Sequence, residues 1–178
     1  MEAMGIKPTD HTYNQLMLSF AKNRDIEMVV KLNEEATQKH QLKPSKYRFN
    51  NLMVCYAKLN KPVEAENVLR EMIDKGIQPD IVIYTTLIDS YKRVGNIDRC
   101  WEIFEEARTT VQGVDADEML LSYMVRLAGA THDSEKALRI FTELETDGFT
   151  EQAKPYNSII SALGSTARFA PKAIEYWH

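Results

Sequence analysis

The sequence predicts an all-α solenoid of stacked antiparallel helix pairs, on three observations. A phrase recurs: "GIKPTDHTYNQLM" from Gly5, "QLKPSKYRFNNLM" from Gln41 and "KGIQPDIVIYTTLI" from Lys75 share a small turn, a Lys or Gln, a Pro and an aromatic-led apolar run. The residue after each leading aromatic gives the markers Asn14, Asn50, Thr85, Ser122 and Asn157, at intervals of 36, 35, 37 and 35. A period of that length belongs to helical-repeat arrays. Within each unit the apolar positions follow i, i+3, i+4, i+7, so they fall on one helical face.

The first helix of each unit carries one of five matching sets: Tyr13, Leu16, Met17, Phe20; Phe49, Leu52, Met53, Tyr56; Tyr84, Leu87, Ile88, Tyr91; Leu121, Met124, Val125, Ala128; and Tyr156, Ile159, Ile160, Leu163. A second helix follows with Ala65, Val68, Leu69, Met72; Cys100, Ile103, Phe104, Ala107; and Ala137, Ile140, Phe141, Leu144. In the first unit the same face reads Val29, Leu32, Asn33, Ala36, and Asn33 weakens it. Pro44 and Pro79 stand just before first helices, where a missing N–H costs least. Gly76, Gly113 and Gly148 follow second helices, where a positive φ is useful. Length variation falls in "TQKHQ" and "TTVQG", because surface connections accept insertions that a packed helix pair does not. One hairpin cannot bury both its faces, so the units must stack. They divide as residues 1–9, the tail of a preceding repeat; 10–45, 46–80 and 81–117; an irregular 118–152; and 153–178, the start of a further repeat.

Composition narrows the function. The 178 residues are 44% hydrophobic and 27% charged with a net charge of −4, so bulk electrostatics give no general pull toward nucleic acid or acidic membranes, and any basic surface is local. Cys55 and Cys100 are too few and too far apart for a disulfide framework or zinc site, which makes a reducing compartment the default. No apolar run is long enough for a membrane-spanning helix. "MEAMGIKPT" does not open a targeting peptide and "APKAIEYWH" stops within a helical pattern, so both ends are expected to be cuts through a longer protein.

The stretch "GIQPDIVIYTTLIDSYKRVGNIDRCWEIFEEA" (Gly76–Ala107) resembles the pentatricopeptide repeat. Its pattern runs Gly-Ile-x-Pro-Asp, a few variable residues, Tyr-Asn-x-Leu-Ile and a Gly-x-x-x-x-Ala hairpin. The tetratricopeptide pattern, with its Leu-Gly pair in the first helix, does not fit. The resemblance covers nearly the whole chain. It is weakest over Glu118–Gln152, where Leu121 replaces the aromatic and the preceding "GVDAD" lacks Pro.

The resemblance implies a superhelix that binds single-stranded RNA at one base per repeat. In the family the residue after the leading aromatic and the last residue of the repeat read the base edge, which pairs Asn14 with Ser45, Asn50 with Asp80, Thr85 with Asp117 and Ser122 with Gln152, and leaves Asn157 without its partner. By the family's pattern these favour C, U, G and a purine, with a pyrimidine at Asn157, in the order 5′-C-U-G-purine-pyrimidine-3′. The second residues of adjacent repeats clamp the bases: His11, Tyr47, Val82 and Met119, with Lys154 fitting poorly. Aromatic stacking there contributes about 1–3 kcal/mol per base. Lys22, Lys58 and Arg93 end three first helices, where they suit the helix dipole and would meet phosphates; Ala130 breaks the series.

Each of these residues also has a structural explanation. The Asn residues fit as solvated positions early in a helix, Asp80 and Asp117 as N-caps, and the three cations as ordinary surface charge. Trp101 and Trp177 fall in second helices and read as packed or exposed, and His40, His132 and His178 as solvated turn or helix-end residues. No Gly-rich phosphate loop, Ser-His-Asp order or metal-ligand cluster is present in the sequence. The acidic "FEEA" reads as a solvated second-helix face. The expectation is therefore a module without enzymatic activity or cofactor, not inserted in a membrane. By family resemblance it serves RNA processing, stability, editing or translation in mitochondria or plastids. Its rivals are a scaffold contacting protein subunits of a ribonucleoprotein or polymerase complex, and the RNA-selecting arm of a nuclease.

Overall fold

The computed structural model describes residues 7–111, 114–146, 153–164, 168 and 170–175. All regular structure among them is helical, and the chain divides into two compact units, Met1–Thr110 and Val111–His178.

In the first unit, α1 (Asp10–Lys22), α3 (Lys46–Lys58) and α5 (Ile81–Arg93) are the first helices. They alternate with α2 (Ile26–Glu34), α4 (Pro62–Asp74) and α6 (Ile97–Thr110). Each first helix packs on its own second helix. The first helices also pack in series, α1 on α3 and α3 on α5, while α2 touches α3 and α4 touches α5. This is the stacking that the repeated apolar face requires. The faces read from the sequence are buried: Phe49, Leu52 and Met53 on α3, all four residues of the α5 set, and all four of each set on α4 and α6.

Leu16 departs from the expectation, being 44% exposed while Met17 and Ala21 fill the core of α1. Among the described residues α3 and α5 each pack on the second helix of the preceding hairpin, α2 and α4, and α1 has no such contact, which leaves Leu16 more open than its equivalents Leu52 and Leu87.

The turns explain where length can vary. Between the two helices of each hairpin the chain passes through a left-handed residue, Arg24, Asn60, Gly95 and His132, of which only Gly95 is a glycine. Gln41 and Gly76 take the same conformation after second helices. The geometry of the repeat thus imposes it on side chains that pay about 1–2 kcal/mol for it. Asp25 and Asn96 cap the following helices, accepting from the Met28 and Arg99 N–H groups. The extra residue near "TQKHQ" enters as a π turn, Glu35–Lys39, that continues α2, rather than as a longer loop. A single inserted residue inside a helix commonly takes this form.

In the second unit, α7 (Val114–Ala130), α8 (Ser134–Thr146), α9 (Ala153–Gly164) and α10 (Ala170–Glu175) repeat the scheme. Helix α7 packs on α8 and α9, and α9 on α8 and α10. Leu121, Met124, Val125 and Ala128 are buried, as are Ala137, Ile140, Phe141 and Leu144, and Ser134 donates to the Ala162 carbonyl at 2.8 Å. Helix α7 has 17 residues against 13 in each earlier first helix. It begins within "GVDAD", where the sequence pattern places a turn. Pro44 and Pro79 hold the preceding residue out of the helical region before α3 and α5; without an equivalent, α7 grows toward its N-terminus. Gly113, Gly148 and Trp177 lie outside the described residues.

Candidate nucleic-acid interface

The first repeat motif places its short polar residue one position after the core aromatic, at the edge of the buried stripe. Asn14, Asn50 and Thr85 are accordingly half-buried beside the fully packed Tyr13, Phe49 and Tyr84. The second residue of each helix projects outward: His11 is exposed, Tyr47 is 65% exposed and Val82 45%. Tyr47 and Val82 are large apolar side chains with no core role, which distinguishes them from the buried aromatics two residues later.

Between α1 and α3 these residues converge. A groove of about 610 Å³ is lined by Asp10, His11, Asn14, Tyr47, Asn50 and Asn51 among others. Thus two of the expected base-reading residues and two of the expected clamps share one open cavity. The Asn14 amide donates from Nδ2 to Asp10 Oδ2 at 3.0 Å. The Oδ1 atoms of Asn14 and Asn50 are both buried and accept no hydrogen bond from the protein.

Behind the groove lies a residue that the sequence reading missed. Arg48 is 1% exposed. Its Nε stands 3.0 Å from Asp10 Oδ1, and its Nη1 donates to Thr37 Oγ1 at 3.1 Å and to Asn33 Oδ1 at 3.3 Å. Its Nη2 donates to the Lys43 carbonyl. Asn33, which looked like a flaw in the apolar face of α2, is therefore a partner for a buried cation.

The other expected readers differ in how free they are. Ser45 sits at the N-cap of α3 with no side-chain bond to the helix. Asp80 is engaged at both oxygens: Oδ1 accepts from the Ile83 N–H at 3.2 Å, as the capping alternative expects, and Oδ2 pairs with Lys46 Nζ at 2.6 Å. That carboxylate holds the Lys46 ammonium above its ordinary pKa. Thr85 donates to the Ile81 carbonyl at 2.9 Å, a local bond that fixes its rotamer. In the second unit Ser122 is half-buried, and Met119 is 51% exposed. Asn157 is exposed. The side chains of Asp117, Gln152 and Lys154 lie outside the described residues.

Lys22, Lys58 and Arg93 are the last residues of α1, α3 and α5. Lys22 is exposed and Lys58 half-buried, while Arg93 Nε pairs with Asp89 Oδ2 at 2.9 Å. Of the other residues singled out, Cys100 is fully buried and burial pushes its thiol up to about 11; Cys55 is also buried and raised, chiefly by burial. Both are inert packing residues. Trp101 packs edge-on to Phe104 with ring centroids 5.8 Å apart. His40 is half-buried rather than solvated, its ring 5.7 Å from that of Tyr13. Among the described residues no group of His, Cys, Asp and Glu is placed to hold a metal, and no helix is long and apolar enough to cross a membrane.

Comparison with known proteins identifies the repeat. The profile of the PPR repeat matches residues 11–35 and 49–77, and that of the pentatricopeptide repeat domain matches residues 67–111. A mitochondrial pentatricopeptide repeat-containing protein of Arabidopsis thaliana is 26% identical over 91% of this chain and 38% of its own length. The mitochondrial 15S rRNA processing factor ppr3 of Schizosaccharomyces japonicus is 24% identical over 94% of the chain and 25% of its own. The chain thus spans well under half the length of either relative. Among solved structures, the pentatricopeptide repeat protein PPR10 in complex with an 18-nucleotide psaJ RNA element superimposes with a TM-score of 0.79. That match covers 99% of this chain and 25% of PPR10 at 21% sequence identity, and it identifies the fold.

Proposed function

Because the chain belongs to the pentatricopeptide repeat family, we propose that its first helices bind single-stranded RNA at about one base per repeat, in the service of mitochondrial or plastid RNA metabolism. The observation that carries this reading is the groove between α1 and α3. It offers what an unpaired base needs: exposed rings at its rim, His11 and Tyr47, and amides in its wall, Asn14 and Asn50. Exposed aromatics stack bases of any sequence, and short polar side chains in the wall supply the edge contacts that choose among them. Asn14 with Ser45 and Asn50 with Asp80 direct C and then U; Thr85 with Asp117 and Ser122 with Gln152 continue the series. Val82 and Met119 give apolar faces for the same clamping. Lys22, Lys58 and Arg93 supply the local positive charge that a chain of net charge −4 otherwise lacks.

A pool of randomised single-stranded RNA, bound to the folded chain and sequenced, tests the proposal. Enrichment of a motif containing 5′-C-U-3′ is the expected result. A folded chain that enriches nothing would overturn it in favour of a protein-contacting scaffold.

A further inference from the structure

Asp10 is not one of the positions expected to read a base, yet it lies in the groove with the residues that are. Its two oxygens do different things. Oδ1 is buried and faces Arg48 Nε at 3.0 Å. The side chain as a whole is 41% exposed, which leaves Oδ2 as the oxygen open to the groove. Oδ2 accepts from Asn14 Nδ2. A carboxylate only accepts, so it fixes which end of the Asn14 amide faces it, and an oxygen with two lone pairs keeps room for a second donor. The backing is rigid: Arg48 is 1% exposed, and the 6% exposed Asn51 donates from Nδ2 to the Asn14 carbonyl at 3.1 Å.

Equivalent positions in the next two repeats hold Lys46 and Ile81. Lys46 is taken up by Asp80, and Ile81 has no polar side-chain atoms. An acceptor held at the first position by a buried cation is thus peculiar to this slot within the first unit.

We infer that Asp10 is a third specificity-determining residue of the first slot, accepting a hydrogen bond from the exocyclic amine of the bound pyrimidine while it orients Asn14. Cytosine presents an N4 amine where uracil presents an O4 acceptor, so the carboxylate favours cytosine and repels uracil. The inference rests on the reading of the groove as a base slot.

Fluorescence anisotropy with short RNAs carrying cytosine, uracil or pyrimidin-2-one at each position in turn tests it, since pyrimidin-2-one is cytosine without the 4-amino group. One hydrogen bond to a charged acceptor corresponds to roughly tenfold. The chain should bind cytosine about tenfold more tightly than pyrimidin-2-one at one position. In Asp10→Asn that difference should shrink to about twofold or less, while the preference at the adjacent position, opposite Asn50, is unchanged. Equal affinity of the unmodified chain for cytosine and pyrimidin-2-one, with the adjacent preference intact, overturns the role of Asp10 and leaves the base-slot reading standing. Undiminished sensitivity to the amine in Asp10→Asn does the same. No preference at any position, or no binding, overturns the base-slot reading and this inference with it. Should Asp10→Asn fail to fold, the comparison of the two bases on the unmodified chain decides alone.

Discussion

Replacing Arg48 by Met keeps most of the aliphatic stem and removes the guanidinium. Five groups lose a partner: Asp10 Oδ1, Asn33 Oδ1, the Asn33 carbonyl, Thr37 Oγ1 and the Lys43 carbonyl. Breaking a buried ion pair from one side costs about 3–5 kcal/mol. Asp10 is 41% exposed and rehydrates in part, so the low end applies, about 3 kcal/mol. At about 1.4 kcal/mol per factor of ten, that is a rise of roughly a hundredfold in local opening. Amide hydrogen exchange reads this directly, because helices in contact with the network should lose protection and α8 in the other unit provides a reference. Protection in α1–α3 should fall by roughly a hundredfold, with α8 unchanged. Adding Asn33→Leu restores the apolar character that this column has in Leu69, Phe104 and Phe141, and should recover at least half of the loss, since removing both partners costs less than stranding one. A fall of less than about threefold in α1–α3, or an equal fall in α8, would refute the reasoning that Arg48 ties the first two repeats together.

Charge also sets expectations for binding and for alkaline stability. Each phosphate neutralised on a single strand contributes about 0.7 to the slope of log affinity against log salt. Arg93 is already paired with Asp89, so Lys22→Glu, Lys58→Glu and Arg93→Glu together should flatten the slope by about 1.5 for every RNA tested; an unchanged slope would contradict the assignment. Tyr91 is buried and its hydroxyl lies 2.7 Å from Glu66 Oε2, so burial first and the Glu66 carboxylate second push its phenol up to about 12. A value raised on folding means stability that is complete below the unfolded value of about 10 and is lost as pH climbs to the folded one. Urea midpoints should fall between pH 10 and 12, and fall less in Tyr91→Phe; equal losses in both chains would remove Tyr91 as the cause.

The fold was legible because its signal is repeated. One amphipathic helix of four apolar contacts is weak evidence, but five in register, with Pro44 and Pro79 at matching places, leave few alternatives to a stack of hairpins. The helix-edge positions expected to read bases were legible for the same reason. Asn14, Asn50 and Thr85 flank the same core aromatic in each repeat, so their place on the helix edge follows once the core face is known. What the period could not convey is how these side chains are engaged. That Asp80 is occupied on both sides by the Ile83 N–H and Lys46, while Ser45 makes no bond to its helix, depends on neighbours that change from one repeat to the next.

Those changes carry information of their own when columns are read together. Arg48 interrupts a column that otherwise holds Thr12, Ile83 and Leu120, and Asn33 interrupts one that holds Leu69, Phe104 and Phe141. Either alone reads as a defect, since an isolated buried cation or amide is costly. In the structure the two defects are one contact, and the acid that completes it, Asp10, stands where the next repeat has Lys46. The cost of each polar residue is met only by the others, so a repeat can lose apolar character in one column only if it does so in several at once. In this chain that concerted departure falls beside the one groove wall where Asn14 is held by a carboxylate. An array that packs every hairpin alike can therefore still make one groove chemically unlike the rest of its surface, by replacing apolar contacts behind the groove with a buried ion pair that reaches through to its wall.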